Sequence, residues 1–549
     1  MPEKKRIRGA DIIAQTLTRL GVEKVFSLSG NHIMPLYDAL IDTPVDIIHV
    51  RHEAACVHMA DAYARTTGQV GIAMVTAGQG HTNGAAALVT ALASEAPMVM
   101  LSGHAGLSEL GKGAFQELRQ AESAAPVTKA SWTVQSAAAL GHDLAKAMQI
   151  ARSGRPGPVH LSLPADLLEQ SVNSSQDLWP DVSASHAVRM PLAEGTAAQI
   201  LAQIDGAQRP LVLCGPTLCS TQGRVQMAQL QRVIQAPVIG MESPRGINDP
   251  SLGAFAEMLA QADLIVLLGK PLDFTLRFAN APFVHPDCRF IVIDPDPDLI
   301  ARVVKYQKDR LILSVQADPV SAIQALSKDA SPAQQRSDAW LEQVKAALVY
   351  RPPQWQDLQS AGNGPAHPVE LCNAVQAFFV QHPQATLVCD GGEIGQWPQA
   401  VVTAAKRRLI NGVAGAIGPS LPFAIAAQVA DPASPVVAIM GDGTFGFHMA
   451  EIDTAVRYGL PVIVVIGNDA RWNAEYQIQL RTYGKERAQG CELLPARYDK
   501  VVEALGGHGE YVTAAADLPA ALARAFKSGK PACINVLIES VPAPTIKRS

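Results

Sequence analysis

The chain has 549 residues, of which 48% are hydrophobic and 17% are charged, and its formal net charge is −5. This length is too great for a single core and suggests about three or four domains. The slightly acidic balance gives no support to a nucleic-acid partner. The sequence also lacks an apolar run of the roughly 18 residues that a membrane-spanning helix needs, so we expect no membrane partner.

The N-terminal segment MPEKKRIRG is basic, and no apolar signal core follows it. We therefore expect a short solvated tail and a cytoplasmic protein. The eight cysteines are scattered, and none forms a CxxC pair. This spacing predicts buried reduced thiols rather than a zinc site or a disulfide framework.

Short apolar segments alternate with helix-length segments in three blocks, which is typical of parallel sheets covered by helices. The block at 1–170 has strand candidates KVFSLSG, VDIIHV, VGIAMVT and APMVMLSG and a last strand in RSGRPGPVHLSLPADLL. The block at 190–335 has PLVLCG, PVIGM, ADLIVLLG, RFIVIDPD and LILSV. The block at 366–549 has TLVCDGG, PVVAIMGDG, PVIVVIGND and PACINVLIE. Polar stretches at 171–185 and 350–368 predict linkers. The predicted fold is therefore α/β, with three doubly wound parallel-sheet domains.

Two acidic turns follow neighbouring strands of the third block. The strand PVVAIM ends at the GDG turn that contains Asp442, residues 447–458 have helical spacing, and the next strand leads to Asp469. A strand, a crossover helix and a parallel strand place both strand ends at one edge of the sheet, where such sheets bind ligands. Adjacent carboxylates repel unless a cation lies between them, and Mg²⁺ takes one or two carboxylates plus phosphate oxygens. The pattern favours a magnesium–phosphate site over the alternative of two ordinary turns.

A GDG turn followed by a helix, a strand and an Asn pair is similar to the thiamine diphosphate (ThDP) fingerprint. Over nearly its whole length the chain resembles the acetolactate synthase-like family, which includes benzaldehyde lyase, oxalyl-CoA decarboxylase and 2-hydroxyacyl-CoA lyase. The resemblance implies a pyrimidine-binding domain, a central domain and a diphosphate-binding domain in the three blocks. It also implies ThDP and Mg²⁺ as cofactors, and a homodimer or homotetramer with active sites at the subunit interface.

The chain departs from the family at the metal site, because Asn468-Asp469 stands where the family usually has Asn as the ligand. By register, Asp469 takes the ligand role beside Asp442, and the backbone carbonyl of Arg471 is implied as a third ligand. Ile417 falls where the family keeps a bulky residue under the bent cofactor, although an ordinary core position is the alternative. The other contacts implied in this block are Gly391, Gly392, Glu393, Gln396, Gly415, Gly441, Gly443 and Thr444.

The run VDIIHVRHEAACVHMADAYART places Glu53 after a strand and at a helix start. In the family, the matching Glu protonates N1′ of the aminopyrimidine, which leads to removal of the C2 proton of the thiazolium. A first-turn Glu that favours the helix dipole is the alternative. The run TAGQGHTN, with Gln79 and Asn83, resembles the GPGATN loop that packs beside cofactor and substrate, and Gly30 is implied as a further cofactor contact.

The run GNHI places His32 at the position of an active-site histidine of benzaldehyde lyase, which handles the hydroxyl proton of an acyloin substrate. Histidine suits this task because its pKa lies near the working pH, and a structural histidine is the alternative. The run GAFQE resembles the acetolactate synthase loop, so we expect Phe115 and Gln116 to face the substrate channel.

The central block carries LGKPLDFTLRF, which is similar to the oxalyl-CoA decarboxylase and 2-hydroxyacyl-CoA lyase branch. It also carries IVIDPDP, an acidic strand end of the kind that can hold a ribose hydroxyl. In the wider family this domain binds FAD, ADP or nothing, so an ADP- or CoA-type nucleotide and an empty fold both remain open. No complete GxGxxG follows a strand here, which weakens a redox function.

The resemblance implies chemistry in which the cofactor carbanion adds to a carbonyl carbon and a neighbouring C–C bond breaks or CO₂ leaves. The carbanion–enamine intermediate is then protonated or attacks a second carbonyl. We predict a lyase/carboligase that acts on a small-molecule substrate of the 2-hydroxyacyl-CoA or acyloin type. The alternatives are an acetolactate synthase or 2-oxo-acid (oxalyl-CoA-like) decarboxylase, a flavoenzyme like pyruvate oxidase, and a non-catalytic relative, against which Glu53 argues.

Overall fold

The computed structural model describes residues 7–173, 177–330, 339–360 and 364–548. The basic tail at 1–6, parts of both predicted linkers and the end of the 190–335 block lie outside the described residues. The described chain forms three domains, each with a parallel sheet flanked by helices, which confirms the predicted α/β fold. Two compact units contain them: the first extends to Val188 and includes Ile425–Ala430, and the second comprises Arg189–Ala424 and the chain from Asp431 onward.

The first unit contains one six-stranded parallel sheet and a small antiparallel pair. Its strands are β1 (Ile7–Arg8), β2 (Lys24–Ser27), β3 (Asp46–His49), β4 (Gly71–Val75), β5 (Met98–His104), β6 (Ala130–Thr133), β7 (Pro158–Pro164) and β8 (Ser171–Val172). Its α-helices are α1 (Gly9–Arg19), α2 (Met34–Leu40), α3 (Glu53–Thr67), α4 (Gln79–Ala93), α5 (Gln120–Ala124), α6 (Leu140–Arg152) and α7 (Ala165–Glu169). The sheet order is β3-β2-β4-β5-β7-β6, and β1 pairs with β8. Every residue of the central strands β4, β5 and β7 is buried, as expected for a sheet covered on both faces.

The central domain has a five-stranded parallel sheet in the order β10-β9-β11-β12-β13. Its strands are β9 (Pro210–Cys214), β10 (Val238–Gly240), β11 (Leu264–Leu268), β12 (Arg289–Asp294) and β13 (Leu311–Gln316). Its α-helices are α8 (Thr196–Gly206), α9 (Thr221–Ile234), α10 (Phe255–Leu259), α11 (Pro297–Gln307), α12 (Pro319–Asp329) and α13 (Ala339–Val349). Two hydrophobic clusters pack on this sheet, one containing Leu211 and the other containing Val212, because neighbouring strand residues face opposite sides.

The third domain has a six-stranded parallel sheet in the order β15-β14-β16-β17-β19-β18. Its strands are β14 (Thr386–Cys389), β15 (Arg407–Ile410), β16 (Val436–Gly441), β17 (Ile463–Asn468), β18 (His508–Val512) and β19 (Ala532–Leu537). Its α-helices are α14 (Pro368–Gln381), α15 (Gln396–Val401), α16 (Ser420–Ala430), α17 (Asp442–His448), α18 (Glu451–Arg457), α19 (Asn473–Tyr483), α20 (Tyr498–Ala504) and α21 (Leu518–Ser528). Counted along the chain, its strand order 2-1-3-4-6-5 equals that of the six-stranded sheet of the first unit.

The strands predicted from apolar runs are all present, whereas three edge strands of the two six-stranded sheets were not predicted. The strands missed in the two larger sheets are β6, β15 and β18, which all lie at sheet edges. Their residues are largely half-buried or exposed, so their sequences ASWT, RRLI and HGEYV lack a continuous apolar run. The helical pattern at 447–458 is also interrupted, because α17 ends at His448 and α18 begins at Glu451.

All eight cysteines are buried and none forms a disulfide, which confirms the expectation of buried thiols. In the described part of the chain, no helix has both the length and the apolar character required to cross a membrane.

Candidate functional site

The two acidic turns of the third domain lie at the carboxyl edge of its sheet. The strands β16 and β17 are parallel neighbours, and Gly441 pairs with Gly467 near their ends. Asp442 begins α17, and Asp469 directly follows β17. Both aspartates line one cavity of about 300 Å³. The structure therefore brings the two carboxylates to one place, as the crossover geometry predicts.

Asp442 is buried and Asp469 is partly buried, and in the described part of the chain neither carboxylate forms an ion pair. Asp442 is only 1% exposed, and its Oδ2 has no hydrogen-bond partner among the described residues. Burial, and then the charge of Asp469, raise the pKa of Asp442 to about 7. Burial raises the pKa of Asp469 to about 6, and the nearby Ser540 hydroxyl opposes that rise. A buried carboxylate oxygen without a partner is costly, so this pair fits a hard cation with oxygen ligands.

The side chain of Asn468 is committed to protein contacts, which leaves Asp469 for the cavity. Asn468 Nδ2 donates to Asn535 Oδ1 at 3.0 Å and to the carbonyl of Ala496 at 3.2 Å. The backbone N–H of Arg471 lies beside both acidic side chains and opposes the rise in the pKa of each. Within the described ranges, no three His, Cys, Asp or Glu side chains form a group that could hold a metal. A cation here would therefore also need backbone or ligand oxygens, and the Arg471 carbonyl stays a prediction.

The residues predicted in the third block come from four loops that are separate in sequence. These loops follow β14, β15, β16 and β17, whose carboxyl ends lie side by side in the parallel sheet. The topology of the sheet thus assembles them around the same cavity. The predicted residues that line it are Gly391, Gly392, Glu393, Gln396, Gly415, Ile417, Gly441, Asp442, Gly443, Thr444, Asp469 and Arg471.

Two glycines of this cavity allow close contacts that a side chain would prevent. A Cβ atom on Gly391 would lie 2.7 Å from Ile417 Cγ2, and one on Gly443 would lie 2.8 Å from the ring of Trp472. Real Cβ contacts are longer than this, so either substitution would displace its neighbour. Glycine at these positions therefore fixes where Ile417 and Trp472 border the cavity. Trp472 was not predicted from the sequence.

Glu393 has protein partners that the sequence did not reveal. Its Oε2 accepts from Arg245 Nη2 at 3.4 Å and from the backbone N–H of Ala543 at 3.1 Å. Burial raises the pKa of Glu393, and the nearby Arg245 opposes that rise. The carboxyl group thus ties the segment that contains Ala543 to the rim of the cavity. A cofactor contact by Glu393 stays a prediction.

Two further polar residues of this region, Asp390 and Asn411, were missed in the sequence. Asp390 is fully buried and accepts from the backbone N–H groups of Gly391, Gly418 and Ser420 at 2.6 to 3.3 Å. Those bonds hold together the loops after β14 and β15. The oxygens Oε1 of Gln396 and Oδ1 of Asn411 are buried without a partner in the described chain, and both residues line the cavity. Unpaired acceptors of this kind fit a ligand with N–H donors.

In the first unit, Glu53 begins α3 immediately after β3, as predicted. Asn83 Nδ2 donates to Glu53 Oε2 at 3.0 Å, so the TAGQGHTN loop supports this carboxyl group. A Cβ atom on Gly80 would lie 3.5 Å from Glu53 Oε1, which shows that this glycine borders the other oxygen. Gln79 lies one residue earlier and begins α4. The two motifs that carry Glu53 and Asn83 are therefore adjacent in space.

His32 is buried beside the loop that contains Phe115. The rings of His32 and Phe115 are stacked, with centroids 5.9 Å apart and an angle of 12°. Burial lowers the pKa of His32, and a hydrogen bond to the Phe115 backbone opposes that effect. The Nδ1 atom lies 3.4 Å from Thr76 Oγ1. Phe115 itself is 68% exposed, so it separates one face of the imidazole from solvent.

Thr76 connects the two groups of predicted residues in the first unit. A Cβ atom on Gly30 would lie 2.4 Å from Thr76 Cβ, and one on Gly80 would lie 2.7 Å from Thr76 Cγ2. Gln116 has a left-handed backbone with φ of 56° and contacts Gly78. The sequence signal for Thr76 was its place at the start of the TAGQGHTN loop. The residues around Glu53 and those around His32 thus form one continuous cluster.

Three family models match the three domains of the chain. Residues 7–123 match the model described as "Thiamine pyrophosphate enzyme, N-terminal TPP binding domain". Residues 197–326 match the central domain of the same enzymes, and residues 390–536 match their C-terminal TPP binding domain. Thiamine pyrophosphate is another name for ThDP. The terminal matches cover Glu53 in the first unit and the two acidic turns in the third domain.

The chain is also similar to curated proteins along almost its whole length. An acetolactate synthase large subunit of Mycobacterium tuberculosis is 30% identical over 541 residues, which cover 96% of this chain and 95% of that protein. A 2-hydroxyacyl-CoA lyase of Arabidopsis thaliana is 27% identical over 570 residues, which cover 97% of this chain and 96% of that protein. An oxalyl-CoA decarboxylase of Escherichia coli K12 is 28% identical over 559 residues, which cover 97% of this chain and 95% of that protein. With three matching domains and the loops described above, the chain belongs to the ThDP-dependent enzymes of the acetolactate synthase-like family.

Proposed function

We propose that the protein is a ThDP- and Mg²⁺-dependent lyase/carboligase that acts on 2-hydroxyacyl-CoA or acyloin-type substrates. The observation that carries this proposal is the buried His32 imidazole, packed against Phe115 in the same residue cluster as Glu53. A lyase of this kind has to take a proton from the substrate hydroxyl as the C–C bond opens. A neutral, positioned imidazole is a suitable base for that proton.

The residues of the third domain fit the metal and the cofactor. Asp442 and Asp469 would hold Mg²⁺, together with the Arg471 carbonyl, because the unpartnered Asp442 Oδ2 needs a positive neighbour. The glycines at the strand ends would allow the diphosphate to approach the backbone. When bound, ThDP supplies the electron sink that stabilises a carbanion. The protein's own task is to bind and orient the reacting groups.

Glu53 would hold the proton that activates the cofactor. Asn83 occupies its Oε2, which leaves Oε1, on the side of Gly80, as the oxygen for proton exchange. A carboxyl group suits this task because it can hold and release one proton near neutral pH when its surroundings stabilise both forms. Asn83 would keep the carboxyl oriented throughout the cycle.

His32 would accept the hydroxyl proton of the substrate and return it in the carboligation direction. Burial lowers its pKa, so the imidazole is neutral and ready to accept a proton at pH 7. Thr76 and the Phe115 backbone limit the rotation of the ring. Gln116, next to Phe115, would face the same substrate.

A second cavity favours a CoA ester over a small acyloin. It has a volume of about 780 Å³ and is lined by residues of the central and third domains, including Arg277, Arg481 and Lys547. Within the described residues, none of these three cations is in an ion pair. Phe274 and Phe283 line the same cavity and are partly exposed. Three unpaired cations beside aromatic rings suit phosphate groups and a flat base, which is the chemistry of a CoA-type nucleotide.

The acidic residues of this second cavity are already neutralised. Glu257 accepts from Arg548 Nε at 3.0 Å, and Glu393 pairs with Arg245. The remaining charge of the lining is therefore positive. Glu393 and Arg245 also line the smaller cavity, so the two spaces are neighbours. We propose that the nucleotide part of the substrate lies in the larger cavity.

The alternative function is an acetolactate synthase or a 2-oxo-acid decarboxylase. The likeness to an acetolactate synthase large subunit supports that alternative, because its identity is slightly higher than that of the lyase relative. These reactions start with loss of CO₂ and do not require a base for a substrate hydroxyl. The role of His32 therefore separates the two functions.

We also propose a homodimer or homotetramer, with active sites at the subunit interface as the family resemblance implies. Phe447 is 54% exposed, and Met449 nearby is 39% exposed, immediately after the GDG turn. Exposed apolar side chains beside a binding cavity are expected to be covered by a second copy. Light scattering after size exclusion should show a mass of at least two chains. A fully active monomer at low concentration would contradict the proposal.

One substrate panel tests the proposed reaction. The protein is incubated with ThDP and Mg²⁺ and, in separate reactions, a 2-hydroxyacyl-CoA, a benzoin-type acyloin, an aldehyde with formyl-CoA, oxalyl-CoA or pyruvate. Products are identified by mass spectrometry. Cleavage of the hydroxyacyl-CoA into an aldehyde and formyl-CoA supports the proposal. Acetolactate from pyruvate, with no turnover of hydroxylated substrates, would replace it with the alternative function.

A further inference from the structure

The loop between β5 and α5 carries Phe115 and Gln116 in a conformation that needs external support. Gln116 is a non-glycine residue with φ of 56°, and its Cβ lies 2.9 Å from the position that a Cβ on Gly78 would occupy. Phe115 is largely exposed while it stacks on His32. A left-handed backbone of this kind persists only where the surrounding structure holds it.

The support comes from Gln120, the first residue of α5, which is 0% exposed. Its Oε1 accepts from the backbone N–H of Gly78 at 3.0 Å. Its Nε2 donates to the carbonyl of Gly103 at 2.9 Å and lies 3.4 Å from Ser162 Oγ. The side-chain amide of Gln120 thus contacts the TAGQGHTN loop, β5 and β7. Gln120 itself directly follows the Phe115 loop.

A chain of hydroxyl and imidazole groups, buried at His81, Ser102 and His160 and exposed at Ser123, fixes the same helix. His81 Nε2 lies 2.7 Å from Ser123 Oγ and its Nδ1 lies 3.0 Å from Ser102 Oγ. His160 Nε2 lies 3.0 Å from Ser102 Oγ, and its Nδ1 lies 2.8 Å from Ser131 Oγ. The chain therefore runs without interruption from α5 through β5 and β7 to β6.

The hydrogen bonds of this chain have one consistent direction. The Ser123 hydroxyl donates to the carbonyl of Gln120, so it accepts from His81 Nε2–H. With a neutral His81, Nδ1 accepts from Ser102, and Ser102 can in turn accept from His160 Nε2–H. Every donor of the chain then has an acceptor while both imidazoles are neutral. Burial lowers the pKa of His81 to about 4 and that of His160 well below its usual range, which agrees with this arrangement.

We propose that Gln120 is a positioning residue of the active site, which fixes the Phe115 loop against Gly78 and His32 with the help of the His81–Ser123 hydrogen bond. The inference rests on the proposed function, in which Phe115 and Gln116 face the substrate. The chain has Gln79 and His81 where the GPGATN loop that it resembles has Pro and Ala. The histidine that bonds to Ser123 therefore departs from that motif.

The experiment uses Gln120→Met, which removes both hydrogen-bonding groups at similar volume. Hydrogen–deuterium exchange of the protein without cofactor should be faster by about tenfold or more at Gly78 and at residues 106–119, and unchanged in β4 and β7. The KM for the preferred substrate should rise by at least about fivefold. ThDP affinity and the exchange of the ThDP C2 proton should stay close to those of the wild type, because those steps do not involve the loop.

Ser123→Ala and Ser131→Ala are the second variant and the matched control. Both remove one hydroxyl from the same chain, but only Ser123 lies in α5. Ser123→Ala should cause a smaller change in the same peptides, and Ser131→Ala should leave the loop and KM unchanged. Faster exchange spread over β4 and β7, or an unchanged KM with a mobile loop, would make Gln120 a packing residue and overturn the inference.

Failure of the proposed function has a different signature. If the wild-type protein does not accelerate exchange of the ThDP C2 proton, the proposed function is wrong. The deuterium-exchange comparison between Gln120→Met and Ser131→Ala would still show whether Gln120 holds the loop.

Discussion

The six-stranded sheets of the first unit and of the third domain have the same strand order, yet their carboxyl edges have opposite chemistry. The third sheet presents Asp442 and Asp469, two carboxylates whose pKa values are raised mainly by burial. The first presents the Glu53 carboxyl, supported by Asn83, and the neutral imidazole of His32. Identical topology thus presents a proposed metal site in one domain and proposed proton-transfer groups in the other, because the loops after the strands determine the chemistry.

Asp442→Ala should have the largest effect, because it removes the buried carboxylate with the unpartnered oxygen. We expect loss of detectable Mg²⁺-dependent ThDP binding by calorimetry. The fall in ThDP affinity should exceed the roughly 10–100-fold loss of affinity that follows removal of a hydrogen-bond partner of a metal ligand. Asp453→Ala in α18 is the control and should bind ThDP normally. Wild-type affinity in Asp442→Ala would show that the metal assignment is wrong.

Glu53→Gln tests the proton-transfer side of the comparison. The amide keeps the size of the side chain and can still bond to Asn83, so ThDP should bind with near wild-type affinity. Exchange of the ThDP C2 proton should be slower by about 10²–10⁴-fold, since the variant cannot transfer a proton. NMR of the quenched cofactor measures this rate, with Glu122→Gln as the control. An unchanged rate would assign activation to another group.

His32→Ala should affect one class of substrates more than another. Removal of a positioned base should slow cleavage of a 2-hydroxyacyl-CoA or benzoin-type substrate by roughly 10²-fold or more. Decarboxylation of a 2-oxo acid should change much less, and ThDP affinity should stay near that of the wild type. His142→Ala, at a partly exposed position in α6, is the control. Equal small losses on both substrate classes would make His32 a packing residue and favour the acetolactate synthase-like alternative.

The histidine chain of the first unit gives a pH dependence of stability. The pKa of His81 is lowered to about 4 in the folded protein from 6.5, mainly by burial. Below pH 6.5 the unfolded chain therefore binds a proton that the folded chain does not. Stability from the neutral imidazole is fully present above about pH 6.5 and is lost as the pH falls towards 4. The loss is about 1.4 kcal/mol per pH unit for one histidine.

Urea unfolding of the wild type at pH 5 and 7, followed by a probe of the first unit, measures this dependence. His81→Gln removes the titrating group and should reduce the difference between the two pH values. His142→Gln is the control and should keep it. Equal pH dependence in the wild type and His81→Gln would show that His81 does not contribute.

The fold was largely predictable from the sequence because the central strands are buried on both faces. Continuous apolar runs such as those of β4, β11 and β16 report that burial directly. The strands β6 and β15 were missed because edge strands have partly exposed residues and lack such runs. Sequence patterns therefore describe the inside of each sheet better than its borders.

The acidic pair was also predictable, since the ends of neighbouring parallel strands must meet at one edge. The partners of Glu393, by contrast, were not. Arg245 and Ala543 lie 148 and 150 residues from it in the chain, and only the fold places them together. The polar chain through His81 and His160 was missed for the same reason: each histidine alone is compatible with an ordinary core position.

Asp469→Asn should have the smallest effect and compares the two carboxylates of the pair. It restores the residue type that the family usually has at this position. The amide oxygen can still bind Mg²⁺, while one negative charge is removed, so Mg²⁺ affinity with ThDP present should fall by less than about tenfold. Without Mg²⁺, the variant should unfold at a higher temperature at pH 7, because the repulsion on Asp442 is relieved. Calorimetry and thermal unfolding measure both effects, with Asp453→Asn as the control. A loss of binding as complete as in Asp442→Ala would mean that the site depends on the charge of both carboxylates, and not only on their oxygen atoms.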